Sequence, residues 1–196
     1  METLVQSLND YDEVVAVDGY SIRMLHEFGE RTEYMTADKI GELWNEFKKH
    51  EVLFTDEIKG DPEAFIDIML NPRSVWLEVF SIEQNKPIGV ISLNKVIPGF
   101  DAEGHFVFWD GKGRGREGLS LRVGRWLFER YNLHRVTTMI PLNQKGTIRF
   151  TERLGFRKEG VKREGTLRHG KWIDLIIFGL LHSELEEVLD ERRTIR

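Results

Sequence analysis

The segment DGKGRGREG, at residues 110–118, contains the residue types that can bind a phosphate group. Its glycines and basic residues are Gly111, Lys112, Gly113, Arg114, Gly115, Arg116 and Gly118. Glycine lets the backbone turn tightly and leaves its N–H groups uncovered. Because apolar spacing predicts a helix over residues 119–131, these N–H groups would lie at its positively polarised N-terminus. The segment therefore predicts either a phosphate site or a surface turn between a strand and a helix.

The spacing excludes two common phosphate-binding motifs. Residues 113–118 match the glycine pattern of a dinucleotide site, but that site also needs Asp or Glu about 20 residues later. The sequence there is VTTMIP at residues 136–141, which contains no acid. A Walker loop needs Gly-Lys-Ser/Thr after four spacer residues, and the segment lacks it.

A third motif fits better, because Lys112, Gly115 and Glu117 resemble the acyl-CoA pyrophosphate loop of the GNAT superfamily. That loop reads Gln/Arg-x-x-Gly-x-Gly/Ala, so Lys112 and Glu117 depart from it. Further motifs follow in order: LHRV (133–136), PLN (141–143), TIRFTERLGF (147–156), EG (159–160) and WID (172–174). From residue 104 to 181 the chain resembles the RimJ/RimL-like branch, which contains the ribosomal-protein-alanine N-acetyltransferases.

The resemblance implies an α/β (α+β) GNAT fold. In that fold a mixed, mostly antiparallel twisted sheet splays at its central parallel strand pair and is flanked by helices. It also implies transfer of an acetyl group from acetyl-CoA to a primary amine by direct attack in a ternary complex. The residues expected at the cofactor are Phe106, Val107, Phe108, Lys112, Gly113, Arg114, Gly115, Arg116, Glu117, Gly118 and Asn143.

Acetyl transfer needs a base, because only the neutral amine attacks a thioester. Glu103, at the start of the central strand, is the first candidate. The family often has its acid one position earlier, and such a slip would move the side chain to the other sheet face. His105 is the alternative, since an imidazole titrates near neutral pH. The alternative interpretation of each residue is a solvated side chain at a strand end.

The resemblance assigns further roles after the next strand. Asn143 matches the asparagine that meets the pantetheine. Thr147 follows the position of a family serine, here Gly146, and would either hydrogen-bond the thiolate or cap its helix. Thr151 stands where many relatives have an acidic tyrosine, so the general acid is unassigned. Trp172 would border the acceptor, with a buried position in the sheet as the favoured interpretation.

The remaining chain predicts the elements that position these residues. Helices are expected at 36–50, 61–70 and 147–154, and strands at 19–28, 75–82, 88–96, 105–109 and 135–140. A closing hairpin is expected at 156–166 and 171–180, turning at His169-Gly170. We expect a loosely docked extension at 1–18, one acetyltransferase domain at 19–182 and a charged tail at 183–196, which is helical from Leu185 and then loose.

Composition limits the class of protein. The chain has 196 residues, 40% of them hydrophobic, and no cysteine, so disulfides and thiolate chemistry are excluded. No apolar run approaches the ~18 residues of a membrane span, and the acidic N-terminus does not resemble a signal peptide. We therefore expect a cytoplasmic enzyme without a metal cofactor.

Charge is unevenly distributed along the chain. Residues 1–70 hold 17 acidic and six basic residues, whereas residues 71–196 hold 16 acidic and 22 basic ones. The net positive charge of residues 71–196 suits the binding of acetyl-CoA, which is a polyanion. The acidic part would draw a cationic acceptor towards Glu33, Asp38, Glu42 or Glu46, or else is ordinary solvated surface.

Several alternatives stay open at this point. The acceptor is a protein N-terminus, a polyamine or another small amine, and the protein a monomer or homodimer without nucleic-acid or membrane partners. One rival is a CoA-binding or catalytically silent interaction module. Another is an acetyltransferase acting on a nucleic-acid-associated amine.

Overall fold

The computed structural model of the chain describes residues 15–17, 19–50, 60–109 and 115–194. Its strands are β1 Val15–Val17, β2 Tyr20–Glu27, β3 Glu30–Arg31, β4 Val75–Ser81, β5 Lys86–Ile97, β6 Asp101–Phe108, β7 Arg135–Pro141, β8 Arg157–Arg168 and β9 Lys171–Leu181. Its helices are α1 Ala37–Lys49, α2 Pro62–Met69, α3 Glu117–Arg130, α4 Lys145–Arg153 and α5 His182–Thr194.

The described strands form one sheet in the order β1-β2-β4-β5-β6-β7-β9-β8, with β3 beside β2. Strands β4, β5 and β6 form the expected antiparallel meander. Strands β6 and β7 are the parallel pair, and the strand pairs on either side of them are antiparallel. This is the predicted mixed, mostly antiparallel architecture flanked by helices.

The parallel pair separates after a short contact. Strand β6 pairs with β7 only from Asp101↔Arg135 to Glu103↔Thr137. The rest of β6 stays paired with β5, and the rest of β7 stays paired with β9. The two strands therefore diverge from Glu103 onwards, which is the splay implied by the resemblance.

Helices cover both faces of the sheet, because strand side chains alternate in direction. On β5, Ile91 and Leu93 belong to one core cluster with buried residues of α3 and α4. Val90 belongs to a second cluster with Leu43 of α1 and Phe65 of α2. The splay therefore lies in a sheet that is packed on both faces.

Local signals set the helix ends as predicted. Thr36 caps α1 by accepting a hydrogen bond from the Lys39 amide, and Asp61 caps α2 through the amides of Glu63 and Ala64. Both side chains satisfy backbone donors that would otherwise lack a partner at a helix start. These caps orient α1 and α2 over the face of the sheet that carries Val90.

Two backbone turns near the site also follow the sequence. Gly155 has φ +90° directly after α4, as expected for a left-handed helix end. His169 and Gly170 have φ +50° and +69° between β8 and β9, which suits a tight hairpin turn. The hairpin is therefore where the sequence predicted it.

A polar cluster joins the C-terminal end of helix α3 to strand β2. Glu27 on β2 accepts hydrogen bonds from the Arg130 guanidinium at 2.9 and 3.0 Å and from the Tyr131 hydroxyl at 2.7 Å. Burial raises the pKa of Tyr131, and its hydrogen bond to Glu27 raises it further, so the phenol stays protonated. The cluster fixes the end of α3 opposite the glycine-rich segment.

Both ends of the predicted domain differ from expectation. Val15–Val17 pair with β2, so the last part of the predicted extension joins the sheet, while residues 1–14 and 18 lie outside the described residues. Residues 182–194 form α5, a helix where the sequence predicts one, but this helix packs on the domain, since Leu185 is only 1% exposed in the main core. No helix in the described ranges is both long enough and apolar enough to cross a membrane.

Candidate active site

The splay opens into a cavity of about 440 Å³. Its floor is formed by β5, β6 and β7, and its walls by α1, α2, α4 and the β8–β9 hairpin. Polar residues of its lining include Ser92, Asn94, Glu103, His105, Thr138, Gln144, Thr147, Thr151, Lys162, Thr166 and Arg168. The cavity therefore combines an opening in the sheet with side chains that can donate or accept protons.

Glu103 and His105 both line this cavity. They lie two residues apart on β6, so their side chains leave the same face of the sheet. His105 Nε2 is 3.6 Å from Glu103 Oε1, and Glu103 Oε2 accepts a hydrogen bond from Lys95 Nζ at 2.7 Å. Glu103 is largely buried, with 16% of its side chain exposed. The two base candidates therefore form one interacting pair at the point where the strands diverge.

The surroundings of His105 decide its charge. Burial lowers the pKa of His105, the nearby Glu103 carboxylate opposes that shift, and Lys95 adds to it. The net direction is downward, so His105 is neutral at neutral pH and can accept a proton. A histidine poised in this way suits general base catalysis.

Sequence reasoning missed two polar neighbours on β5. Ser92 lies opposite His105, and Asn94 lies opposite Glu103. Asn94 Oδ1 is buried and has no hydrogen-bond partner among the described residues. The signal was present in the sequence, since Ser92 and Asn94 are polar at a spacing of two in an otherwise apolar strand.

The expected cofactor strand is the splayed half of β6. Phe106 and Phe108 turn to one face, where both meet the Phe150 ring of α4 edge-on, at centroid distances of 6.4 and 6.2 Å. Val107 turns to the other face and packs against the α1–α2 cluster. Phe106 and Val107 line the cavity. The splayed half of β6 is therefore packed on both faces.

The glycine-rich segment is described only from Gly115 onwards, so Gly111, Lys112, Gly113 and Arg114 lie outside the described residues. Gly115 has φ +86°, a backbone conformation that favours glycine. Gly118 lies inside the first turn of α3 rather than before it.

The side chain of Glu117 binds the backbone of the loop, which the sequence did not predict. Its carboxylate accepts a hydrogen bond from the Gly115 amide at 2.8 Å and from Arg153 Nε at 2.7 Å. Burial raises the pKa of Glu117, but hydrogen bonds from its own amide, from Arg153 and from Gly115 outweigh that effect and lower it. Glu117 is therefore an ionised carboxylate bound to the loop backbone.

Arg116 is turned away from solvent. It is 5% exposed, and its guanidinium lies 4.8 Å from the centroid of the Phe108 ring. A cation over an aromatic face is attracted by the ring quadrupole. The side chain thus joins the start of α3 to the end of β6.

The residues between β7 and α4 differ in their exposure to the cavity. Asn143 is exposed and not among the lining residues, whereas Gln144 and Thr147 line the cavity. The predicted cap at Thr147 is wrong, because α4 begins at Lys145 and Gln144 is its N-cap. Thr151 is 5% exposed and lines the cavity.

The hairpin borders the cavity, but not in the way the sequence suggested. Trp172 is 61% exposed, so the expectation of a buried sheet aromatic is wrong. It lines the cavity mouth together with Lys162 and Arg168. Trp172 is exposed because it lies at the start of β9, where Lys171 is exposed as well, and the buried part of the strand begins only at Leu175.

The acidic residues expected to attract a cationic acceptor lie elsewhere. Glu33, Asp38, Glu42 and Glu46 are not among the residues lining the cavity. Glu42 binds Lys39 Nζ at 2.7 Å, and Glu46 forms an ion pair with Lys49. Glu103 is the acidic residue in the described lining.

Comparison with known sequences finds one informative relative. The chain is 27% identical over 114 residues to a probable N-acetyltransferase, YjcK, of Bacillus subtilis (strain 168). The match covers 56% of this chain and 62% of that protein. No family model matches the chain.

Comparison with solved structures shows the fold. Spermidine N-acetyltransferase from Vibrio cholerae, in complex with CoA and spermine, superposes with a TM-score of 0.67 at 16% identity. That match covers 86% of this chain and 98% of the other. Ribosomal-protein-S5-alanine acetyltransferase from Vibrio fischeri gives a TM-score of 0.62 at 18% identity, over 86% of this chain and 96% of the other. The chain therefore has the GNAT fold that these N-acetyltransferases share.

Proposed function

We propose that the protein is an acetyl-CoA-dependent N-acetyltransferase whose acceptor is a primary amine. The observation that carries the proposal is the cavity at the β6–β7 splay, because it brings a neutral histidine and a carboxylate to a free strand edge. The probable N-acetyltransferase of Bacillus subtilis supports the same activity at the level of sequence.

Acetyl-CoA fits the residues present. The unpaired half of β6 offers backbone groups that can bond an extended pantetheine arm as another strand would. The backbone from Gly115 and the start of α3 lie where a pyrophosphate would find N–H donors. Bound acetyl-CoA would supply an acetyl thioester that is already activated towards amines.

Residues of the chain then position the two reactants and transfer the protons. His105 takes a proton from the ammonium form of the acceptor, and Glu103 stabilises the resulting imidazolium across 3.6 Å. The free amine nitrogen forms a bond to the acetyl carbon while the carbon–sulfur bond breaks. The newly bonded nitrogen is positively charged and gives up its second proton, which reaches the departing thiolate directly or through water or a hydroxyl such as Thr147 or Thr151 that acts as a relay. Positioning of the two reactants in the cavity supplies much of the rate.

Within this activity, we place the protein in the RimJ/RimL-like branch, on the motifs at residues 133–174. The acceptor is then an α-amine at a protein N-terminus, with a polyamine as the second candidate. The Vibrio cholerae enzyme, whose structure holds spermine, supports the second candidate at the level of fold.

The test is turnover of acetyl-CoA with a panel of amines. We expect thiol release with at least one class among N-terminal peptides, polyamines and small amines, and none with N-blocked controls. The variant His105→Ala should lose ~10²-fold or more in kcat while keeping its affinity for CoA.

The same panel of amines distinguishes the proposed enzyme from the rival interpretation, a CoA-binding module without catalytic activity. A catalytically silent protein would bind CoA in a calorimeter but release no thiol with any amine. A protein that neither binds CoA nor turns over acetyl-CoA would contradict the proposal entirely.

A further inference from the structure

Two polar atoms in the wall of the cavity are buried and have no hydrogen-bond partner among the described residues. They are Nε1 of the Trp76 indole and Oδ1 of the Asn94 side chain, and both residues line the cavity. Trp76 is only 5% exposed. Buried polar groups in folded proteins are almost always paired, so each unpaired one needs an explanation. A molecule that enters the cavity can supply both missing partners.

The register of the strands places both side chains beside the proposed base. Trp76 on β4 lies opposite Ser92 on β5, which lies opposite His105 on β6. Asn94 lies opposite Glu103. Directly opposite residues share a face of the sheet, as do residues two apart on one strand, so all five side chains leave the same face. Trp76 and Asn94 are diagonal neighbours, usually about 7–8 Å apart, a distance that a small polar group can bridge when one partner is as long as tryptophan.

The two unpaired atoms differ in what they can bind. An indole N–H only donates a hydrogen bond, whereas an amide oxygen only accepts one. A primary ammonium group brings three N–H donors, and His105 accepts only the proton that it removes. Asn94 Oδ1 can accept a second N–H of the same nitrogen. Trp76 Nε1, in contrast, needs an oxygen on the acceptor.

The surroundings of Trp76 are apolar. Phe47 and Phe65 line the cavity with it and belong to the same core cluster, and the Phe47 and Trp76 rings meet edge-on at a centroid distance of 6.3 Å. At the low dielectric of such a wall a hydrogen bond is strong and an unpaired donor is costly. The indole therefore favours an acceptor that has an oxygen at this point over one that has only carbon there.

Resting on the proposed function, we propose that Asn94 and Trp76 bind the acceptor and select an amine that carries an oxygen close to its nitrogen. Asn94 Oδ1 holds the amine while His105 takes its proton, and Trp76 Nε1 donates a hydrogen bond to the neighbouring oxygen. Amino acid amides, peptides with a free N-terminus and amino alcohols have such an oxygen. Polyamines, which contain only carbon chains and protonated nitrogen, do not.

Two matched pairs of acceptors test the role of Trp76. One pair is glycinamide, which has a carbonyl oxygen, and propylamine, which has a similar size and no oxygen; the other is an alanyl peptide and spermidine. Each variant is compared with the unaltered protein on the same amine, so that differences in amine basicity cancel. Trp76→Phe keeps an aromatic ring but removes the N–H donor. We expect it to lower kcat/KM about tenfold for the oxygen-bearing amines and to leave it within about twofold for the others.

The variant Asn94→Leu tests the second contact. It removes the acceptor oxygen with little change in size, and the amine nitrogen that Asn94 would bind is common to all four acceptors. We therefore expect kcat/KM to fall about tenfold for every amine that the unaltered protein acetylates, while the Kd of CoA stays unchanged. Full activity of Asn94→Leu would refute this contact.

Trp109 offers a matched control for Trp76. Its Nε1 is also buried without a partner among the described residues, and its ring lies 5.2 Å from the same Phe47 ring. Unlike Trp76, it is not among the described residues that line the cavity. Trp109→Phe should therefore leave kcat/KM unchanged for every acceptor. Circular dichroism of the three variants would show that the fold is retained.

The outcomes distinguish failure of this inference from failure of the proposed function. Acetylation of propylamine or spermidine but of neither oxygen-bearing amine would refute selection by Trp76 and leave the proposed function standing. Equal losses for all amines in Trp76→Phe, no loss for any, or the same losses in Trp109→Phe would refute it as well. If the unaltered protein acetylates no amine, the proposed function fails and this inference fails with it.

Discussion

Glu103 and His105 act as a pair because their charges influence each other across 3.6 Å. Burial lowers the pKa of His105, and the carboxylate opposes part of that effect. Lys95, which binds Glu103 at 2.7 Å, weakens the opposition. Three residues on two strands therefore set the pH at which the proposed base becomes active.

This coupling gives a signed prediction for the pH profile. If His105 is the base, kcat/KM should rise with pH through a limb whose midpoint lies below 6.5, the ordinary pKa of histidine. Glu103→Gln removes the influence that raises this pKa, so the limb should move to lower pH. Lys95→Met removes a lowering influence, so the limb should move to higher pH. Steady-state rates between pH 5 and 9 measure both shifts.

The control for this profile is the variant His105→Ala. It should abolish the limb as well as reduce the rate, because no imidazole remains to titrate. A limb that persists unchanged in His105→Ala would assign the titration to another group and contradict the proposed role.

At the scale of elements, the C-terminal helix belongs to the folded domain. Leu185 of α5 is 1% exposed, and Val188 and Leu189 pack against the same core as α3 and β9. Glu184 also accepts a hydrogen bond from the Leu181 amide at 3.0 Å, which fixes the start of α5. Residues expected to form a helical tail outside the domain therefore pack on its core.

Truncation of this contact should destabilise the whole domain. Leu185→Ala removes a buried side chain and leaves a cavity, so we expect the free energy of unfolding to fall by about 2–5 kcal/mol. Glu187→Ala, at an exposed position of the same helix, should change it by about 0.5 kcal/mol or less. Urea unfolding of the two variants provides the comparison, and equal stabilities would show that α5 is not part of the cooperative unit.

At the scale of the molecule, the acidic residues expected to attract the acceptor, Glu33, Asp38, Glu42 and Glu46, do not line the cavity. Glu42 and Glu46 are paired with neighbouring lysines on α1, and neither lines the cavity. Screening limits the reach of such exposed charges to about 8–10 Å at ordinary ionic strength. The structure therefore favours local recognition of the acceptor over long-range attraction by these acids.

Charge reversal at these positions tests that conclusion. We expect the double variant Glu42→Lys, Glu46→Lys to leave the acceptor KM within about twofold of the unaltered protein, because exposed ion pairs contribute little. Glu103→Gln, inside the cavity, should change the kinetics for the same acceptor. An acceptor KM that rises strongly in the double variant would restore the role of the acidic segment.

The order of the elements follows from the sequence because the signals are local. Thr36 and Asp61 cap their helices through nearby amides, and Gly155, His169 and Gly170 adopt the backbone conformations expected of them. The motifs at residues 133–174 add the parallel strand and the closing hairpin. Local hydrogen bonding and apolar periodicity are sufficient for these features.

The content of the site depended on contacts between distant parts of the chain. Asn94 lies opposite Glu103, and Glu117 bonds Arg153, 36 residues later. Trp172 was expected to be buried and is exposed, whereas α5 was expected in a tail outside the domain and packs its Leu185 into the core. Residue types and spacing predict the periodicity of helices and strands and the residues that cap the helices. Which side chains come into contact is decided by the register of the strands and the docking of the helices. The sequence by itself determined the elements and the candidate pair on β6, and only the tertiary structure decided which partners set their charge.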